Sequence, residues 1–234
     1  MDSNSIHCPI HCPIQQWTLT MNVMADNLIE YNTKENNTGQ DNMEQYKESC
    51  AICIPGASGK WNNNLPDVLL KYCRVINVPP SYQKQTGDMR EDTVKNLIES
   101  NSDSDIIAIG HSEGGARLMR LMEDISIAKN IKALILISPA YSVSNIKTDI
   151  TKLVNNLIEM NIPVYLIDAE HGFGGSLPCW RWSTRVKFKK NFVNLSSFSK
   201  HIMIKNSEHR FVNKKESEEL IHKIRSWITK FKIN

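Results

Sequence analysis

Short apolar runs alternate with amphipathic stretches from residue 50 onward, and this alternation constrains the fold more than any other feature of the chain. The apolar runs occupy residues 50–54, 74–78, 105–109, 133–137, 164–167 and 202–204. Between them, apolar residues recur at helical spacing, as in 146–158 and 220–231, and Asn213 with Glu216 forms a capping signal before the last helix. Buried strands that alternate with helices predict a mostly parallel sheet covered on both faces, a three-layer α/β/α sandwich.

Length and composition agree with one globular domain and an extension. The chain has 234 residues, of which 41% are hydrophobic and 23% charged, and these values exclude wholesale disorder. No apolar run approaches the roughly 18 residues that a transmembrane helix needs. The first ten residues are polar and lack the basic start and apolar core of a signal peptide, so we expect a cytoplasmic protein.

The first 48 residues differ from the rest. Alternation of apolar and polar residues over 17–23 predicts an edge strand, and the Asn- and Gln-rich residues after it predict a polar linker. Two His-Cys-Pro-Ile units at 7–14 could ligate zinc, but no second ligand pair follows at the usual spacing, so we expect no metal. We therefore predict an N-terminal extension over 1–48 and the folded domain over 49–234.

The chain contains six cysteines, and two of them, Cys50 and Cys53, have the spacing of a redox motif. Both fall in a predicted strand. Side chains three positions apart on a strand point to opposite faces, so these thiols should not pair. We interpret them as buried, reduced core residues.

One sequence motif points to a catalytic residue. The third apolar run continues into Gly110-His111-Ser112-Glu113-Gly114, which is followed by a helical stretch. This is the pattern G-x-S-x-G in the strand, turn and helix context that gives it meaning. The tight turn should hold Ser112 in a strained conformation with its hydroxyl exposed, and a Cβ atom at Gly110 or Gly114 would collide with neighbouring backbone. The pattern predicts a nucleophilic serine.

A nucleophilic serine needs a general base, and His209 has the best position among the seven histidines. It follows the last strand directly, so it should lie at the carboxyl edge of the sheet beside Ser112. His171, after the fifth strand, is the rival candidate. His111 flanks the nucleophile, but its side chain should point away from that of the serine.

An oxyanion hole requires two backbone donors. One should be the N–H group of Glu113, the residue after the nucleophile, and the other should come from the loop at 54–59, with Ala57 the best candidate. Small residues in this loop would let its backbone approach a substrate closely.

The chain resembles the α/β-hydrolase superfamily over residues 50–234, and more loosely the small, nearly lidless serine hydrolases of the retinoblastoma-binding-protein-9 kind. The motif around Ser112, the Ser138-Pro139-Ala140 sequence after a core strand, and His209 with Phe211 after the last strand carry this resemblance. It implies a minimal lid, no cofactor, and hydrolysis through an acyl-enzyme on Ser112.

The acid of the triad departs from the family pattern. The family position corresponds to Gly172, and the nearest carboxylates are Asp168, at the predicted strand end, and Glu170, in the loop expected to follow. Asp168 is slightly favoured, and Glu170 stays open. A further alternative is that Ser112 and His209 act alone or that activity has been lost.

Residues 171–207 contain basic but no acidic side chains, and this positive charge is relevant to the kind of substrate or partner that the protein binds. The basic residues are Arg181, Arg185, Lys187, Lys189, Lys190, Lys200 and Lys205. They would attract an anionic substrate, a phosphate group or a membrane surface. Because no phosphate-binding glycine pattern accompanies them, a solvated basic face is the simpler interpretation. The expected partner is a small-molecule acyl ester or thioester, with or without an acidic group. No nucleic-acid partner is expected. The alternatives are a binding protein without catalysis on the same scaffold and a peptidase or amidase with the same residues.

Overall fold

The computed structural model describes residues 49–58, 60–61, 63–78, 85–140, 148–171, 187–197 and 199–229. The predicted N-terminal extension, with its edge strand and histidine-cysteine pairs, lies outside the described residues. Residues 172–186, which include Gly172, Arg181 and Arg185, lie outside them as well.

Six strands form one sheet. They are β1 (Ser49–Ile54), β2 (Arg74–Asn77), β3 (Asp105–His111), β4 (Ile131–Ile137), β5 (Val164–His171) and β6 (Lys200–Glu208). Their order is β2-β1-β3-β4-β5-β6, and every neighbouring pair is parallel. The predicted parallel sheet is confirmed, and its uniform direction gathers all six carboxyl ends at one edge.

Helices cover both faces of this sheet. They are α1 (Leu65–Leu69), α2 (Gly87–Ser100), α3 (Glu113–Leu121), α4 (Ile125–Ala128), α5 (Ile150–Glu159) and α6 (Lys214–Ile228), with a further helical turn at 187–191 and a 3₁₀ turn at Phe192–Asn194. Helices α2 to α5 pack on one face, whereas α1 and α6 pack on the other. The result is the predicted three-layer sandwich. Within the described ranges, no helix combines the length and apolarity needed to cross a membrane.

Alternation along β1 divides its side chains between the two cores. Cys50 belongs to the core under α2 to α5, whereas Cys53 belongs to the core under α1 and α6. The prediction that these thiols face opposite ways is therefore confirmed. Burial raises the pKa of Cys53 well above its usual value, with Cys73 and Cys50 adding to the effect, so the thiol stays protonated.

The cap of the last helix also follows the sequence. The side chain of Asn213 accepts a hydrogen bond of 2.9 Å from the N–H group of Lys215. Helix α6 then buries a stripe that ends at Trp227 and Ile228. Trp227 stacks on Tyr165 of β5 with 5.0 Å between ring centroids, which fixes α6 against the strand that neighbours β6.

Strands β3, β5 and β6 extend further at their carboxyl ends than the sequence analysis expected. Strand β3 continues through His111, and β5 continues through His171, which pairs with Glu208 of β6. The expectation that Glu170 lies in a loop after the strand is wrong, because the ladder with β6 keeps that stretch extended. The longer β6 delivers His209 directly to the carboxyl edge.

Candidate active site

Ser112 lies in a sharp turn between β3 and α3 with φ of 53° and ψ of −115°. A non-glycine residue with positive φ is strained, as predicted for this turn. Its backbone is fixed from two sides: its N–H group donates to the carbonyl of Ile137 at 3.0 Å, and its carbonyl accepts from the N–H group of Ala140 at 2.9 Å. The end of β4 therefore holds the strained turn in place.

The two glycines of the motif are required by close backbone approach. A Cβ atom at Gly110 would lie 2.7 Å from the Cα atom of Gly115, and one at Gly114 would lie 2.6 Å from the carbonyl oxygen of Pro55 and still closer to that of Ile54. These contacts involve backbone atoms, which cannot move aside. The predicted collisions are therefore confirmed, and α3 packs directly against the end of β1.

His209 follows the end of β6, the edge strand that is separated from β3 by β4 and β5. Its Nε2 atom lies 2.8 Å from Oγ of Ser112, which is hydrogen-bond distance. The turn after β6 is held by Phe211, whose N–H group donates to the carbonyl of Glu208 at 3.0 Å and whose side chain is fully buried. The structure thus brings together the two residues that the sequence selected as nucleophile and base.

The surroundings of His209 keep its imidazole neutral. Burial, followed by the charges of His111 and Arg210, lowers the pKa of His209 to about 3. At neutral pH the ring therefore carries one proton and has one free lone pair. A neutral imidazole whose Nε2 atom faces a serine hydroxyl can accept the hydroxyl proton.

His111 contacts the turn that carries His209. Its Nε2–H group donates to the backbone carbonyl of His209 at 2.9 Å, and the two rings have centroids 5.1 Å apart. The sequence analysis expected this side chain only to point away from Ser112 and assigned it no contact with the base. Side chains alternate along β3, so His111 lies on the same face of the sheet as Ile109. This alternation was the sequence signal that could have placed His111 near the turn that carries His209.

The loop after β1 runs beside the nucleophile. A Cβ atom at Gly56 would lie 3.1 Å from the Cβ atom of Ser112, so this backbone is nearly in contact with the serine. Ala57 follows on an exposed turn. Glu113 begins α3, where N–H groups have no acceptor within the helix. Glu113 is adjacent to Ser112 in the chain, and Ala57 follows the glycine whose backbone approaches the serine. The role of their N–H groups as oxyanion donors stays a prediction.

The side chain of Glu113 is buried beneath the turn in a network of charges. Its Oε1 atom accepts a short hydrogen bond from Arg90 of α2 and one of 3.2 Å from Arg117, which also binds Glu91 at 2.9 Å. Two guanidinium groups and two carboxylates balance one another. The carboxylate next to the serine therefore presents little net negative charge to the site.

The two candidate acids of the triad have other partners. Asp168, which is 3% exposed, lies 3.0 Å from Nε2 of His201 and 2.5 Å from Nζ of Lys189. Glu170 accepts a hydrogen bond of 2.7 Å from the N–H group of Asn206. The structure therefore brings neither carboxylate to His209 through these contacts, and an orienting role for either one stays a prediction.

The rival base is placed away from the nucleophile. The side chain of His171 is 62% exposed at the end of β5, and its Nε2 atom lies 3.9 Å from the carboxylate of Glu170. Within the described part of the chain, no group of three or more His, Cys, Asp or Glu side chains has an arrangement suited to a metal ion. Of the two histidine candidates, the geometry favours His209.

Several solved structures share this architecture. The esterase Est1E from Butyrivibrio proteoclasticus, solved with ferulic acid bound, matches with a TM-score of 0.57 and 15% identity, covering 79% of this chain and 89% of that one. A monoacylglycerol lipase from Paleococcus ferrophilus matches with a TM-score of 0.55 and 13% identity over 78% and 95% of the chains. An α/β-hydrolase from the metagenome of Mar Chica lagoon sediments matches at 0.51 and 14% over 85% and 100%.

No family model and no curated protein sequence matches the chain. At these sequence identities, the likeness to solved structures shows the fold alone. The chain therefore has the α/β-hydrolase fold, as the motif around Ser112 predicted. The looser resemblance to the retinoblastoma-binding-protein-9 kind stays a prediction.

Proposed function

We propose that this protein is a serine hydrolase that cleaves carboxylic esters or thioesters of small to medium acyl groups through an acyl-enzyme on Ser112. The observation that carries the proposal is the distance of 2.8 Å between Nε2 of His209 and Oγ of a serine held in a strained turn. Esterases and lipases among the structural neighbours support the same reaction class.

Acylation follows from the arrangement of the described groups. Oγ of Ser112 attacks the carbonyl carbon of the ester while the neutral Nε2 atom of His209 accepts the hydroxyl proton. The carbonyl oxygen becomes an oxyanion, which accepts hydrogen bonds from the backbone N–H groups of Ala57 and Glu113. The imidazolium then gives its proton to the departing alcohol or thiol, and the acyl group stays on the serine.

Deacylation reverses the roles with water as the nucleophile. His209 accepts a proton from water, whose oxygen attacks the acyl carbon, and the same two N–H groups hold the second oxyanion. Collapse of this intermediate breaks the bond to Oγ of Ser112, which takes the proton back from the imidazolium. The products are a carboxylic acid and a regenerated serine.

A positive charge beside the base supports a substrate with an acidic group. Arg210 follows His209 on an exposed turn, and its charge acts on both His209 and His111. Lys189, one of the basic residues considered from the sequence, is engaged with Asp168 and therefore less able to meet a substrate. We infer that Arg210 attracts a carboxylate-bearing acyl group.

The activity should persist in weak acid. A histidine with an ordinary pKa of about 6.5 loses half of its base form near that pH, whereas the pKa of His209 is lowered to about 3. We expect kcat/KM for a neutral ester to stay flat from pH 8 down to about pH 5, because this parameter reports the free enzyme. The unfolded chain binds a proton to this histidine below about pH 6.5, so folding stability declines as the pH falls from about 6.5 toward about 3. Circular dichroism at each pH separates the two effects, and a midpoint near 6.5 in a folded protein would contradict the expectation.

Covalent labelling tests the nucleophile. A fluorophosphonate probe should label the wild-type protein and leave Ser112→Ala unlabelled, because the probe traps an activated serine. Ser102→Ala is the matched control: it removes an exposed hydroxyl at the other end of β3 and should be labelled like the wild type. A folded wild-type protein without label would overturn the proposal and favour a binding protein without catalysis.

A panel of substrates then separates the reaction classes. Chromogenic esters of increasing acyl length, matched thioesters and matched anilides should be tested with and without a terminal carboxylate. Turnover of esters or thioesters above anilides supports the proposed class, whereas a preference for anilides would identify a peptidase or amidase. An Arg210→Ala variant that loses only the preference for carboxylate-bearing esters would support the role of that side chain.

A further inference from the structure

His111, the residue before the nucleophile, links three parts of the site. It is 6% exposed and lies on the face of the sheet that α1 and α6 cover, alongside Ile109. Its ring contacts Trp61 at a centroid distance of 6.0 Å and His209 at 5.1 Å. Its Nδ1 atom would lie 3.5 Å from a Cβ atom at Gly56, so the same ring borders the loop that carries Ala57.

The contact with His209 fixes the state of the His111 ring. A backbone carbonyl only accepts hydrogen bonds, so the Nε2 atom of His111 must carry the proton in its 2.9 Å bond to the carbonyl of His209. Burial lowers the pKa of His111, and its single ring proton is then committed to this bond. Trp61, whose indole N–H donates to Oδ1 of Asn77 at 3.0 Å, also lies against the ring.

We propose that His111 is a positioning residue: it holds the backbone of His209 in the position that brings Nε2 of its imidazole within hydrogen-bond distance of Oγ of Ser112. The inference rests on the proposed hydrolase function and adds a residue to it. The bond acts on the peptide group of His209, so it sets the position of the base relative to Ser112. Because His111 is adjacent to Ser112 in the chain, one rigid strand end supports both nucleophile and base.

The alternative is that His111 merely fills the space between the loops. A filler would lower stability when it is replaced, but the loss would follow ring volume rather than the presence of a donor. A positioning residue acts on the geometry of the chemical step, where a misplacement of about 1 Å costs on the order of 100-fold in rate. The two roles therefore differ in which substitution restores activity.

Three variants of the full chain separate these roles. His111→Phe keeps a ring without a donor, His111→Gln keeps a donor without a ring, and His222→Phe, at an exposed position on α6, is the control. We expect His111→Phe to lower kcat by about 10- to 100-fold with KM changed by less than about threefold. His111→Gln should recover most of the rate, and His222→Phe should match the wild type. Equal rates for wild type and His111→Phe, with both labelled by the fluorophosphonate, would overturn the positioning role alone.

A second measurement does not depend on activity. Long-range ¹H–¹⁵N correlation spectra of ¹⁵N-histidine protein report which ring nitrogen carries the proton. We expect His111 in the Nε2–H form at pH 7, and the signal pattern of His209 should change in His111→Phe. An Nδ1–H form of His111 would overturn the inference even if the enzyme is active. A wild-type protein that takes no label would overturn the proposed function instead, so the two failures are distinguishable.

Discussion

Replacing His209 by alanine should lower kcat for ester hydrolysis by about 10⁴-fold. The variant loses the imidazole, which among the described contacts is the only side chain within hydrogen-bond distance of Oγ of Ser112. The double variant with Ser112→Ala should be no slower than Ser112→Ala, since nucleophile and base act as a unit. Steady-state kinetics on a chromogenic ester measures both effects. Additive losses in the double variant would contradict the pairing of the two residues.

Asp168→Asn is the informative contrast to that variant. The carboxylate of Asp168 is buried with Lys189 and His201, so its loss should lower the free energy of unfolding by about 2 kcal/mol through the broken ion pair. A rate within a few-fold of the wild type would show that this carboxylate does not orient His209. A loss of about 10⁴-fold in kcat by a folded Asp168→Asn protein would instead identify it as the orienting acid. Glu170→Gln provides the same comparison for the second carboxylate.

Gly114→Ala should destabilise the protein severely, although helix propensity alone predicts the opposite. Alanine in place of glycine inside α3 would favour the helix by about 1 kcal/mol. The added Cβ atom, however, would lie 2.6 Å from the carbonyl oxygen of Pro55, and the facing atoms are backbone. We expect a net loss of about 3 kcal/mol, measured by chemical denaturation with circular dichroism.

Gly56→Ala is the matched control for that steric argument. Its Cβ atom would lie 3.1 Å from the Cβ atom of Ser112, so the neighbour must give by only a few tenths of an ångström. Its contacts with Nδ1 and the carbonyl oxygen of His111, at 3.5 and 3.6 Å, are ordinary van der Waals contacts. This variant should therefore fold with a smaller loss of stability. A Gly114→Ala protein as stable as the wild type would show that α3 and the end of β1 are further apart than the structure indicates.

The sheet could be predicted because its information is local. Each core strand is an apolar run bounded by polar residues, and each face of β1 follows from alternation alone. The strained serine followed from the same reasoning, since glycines two positions before and after it are explained only by a tight turn between strand and helix. These features depend on neighbours within a few residues.

The contacts around His209 could not be predicted from the local sequence. The ends of β5 and β6 depend on how far two strands pair, and that pairing kept Glu170 extended and left Asp168 beside Lys189. The bond from His111 joins residues far apart in the chain, and although alternation along β3 gives the face that His111 occupies, it does not identify the carbonyl of His209 as its partner. Contacts of this kind are fixed by the sheet order, which the apolar pattern leaves open.

Because all six strands run in the same direction, a tether or a reporter protein can be attached at one end of the sheet, away from the candidate active site. Every residue assigned to bond breaking follows the carboxyl end of a strand, whereas the connections at Ser102 and Lys129 are exposed at the opposite rim. A surface tether or a reporter fused at that rim would have the full length of the sheet between itself and the substrate. Immobilised protein could then present its reactive edge to solution with every molecule in the same orientation.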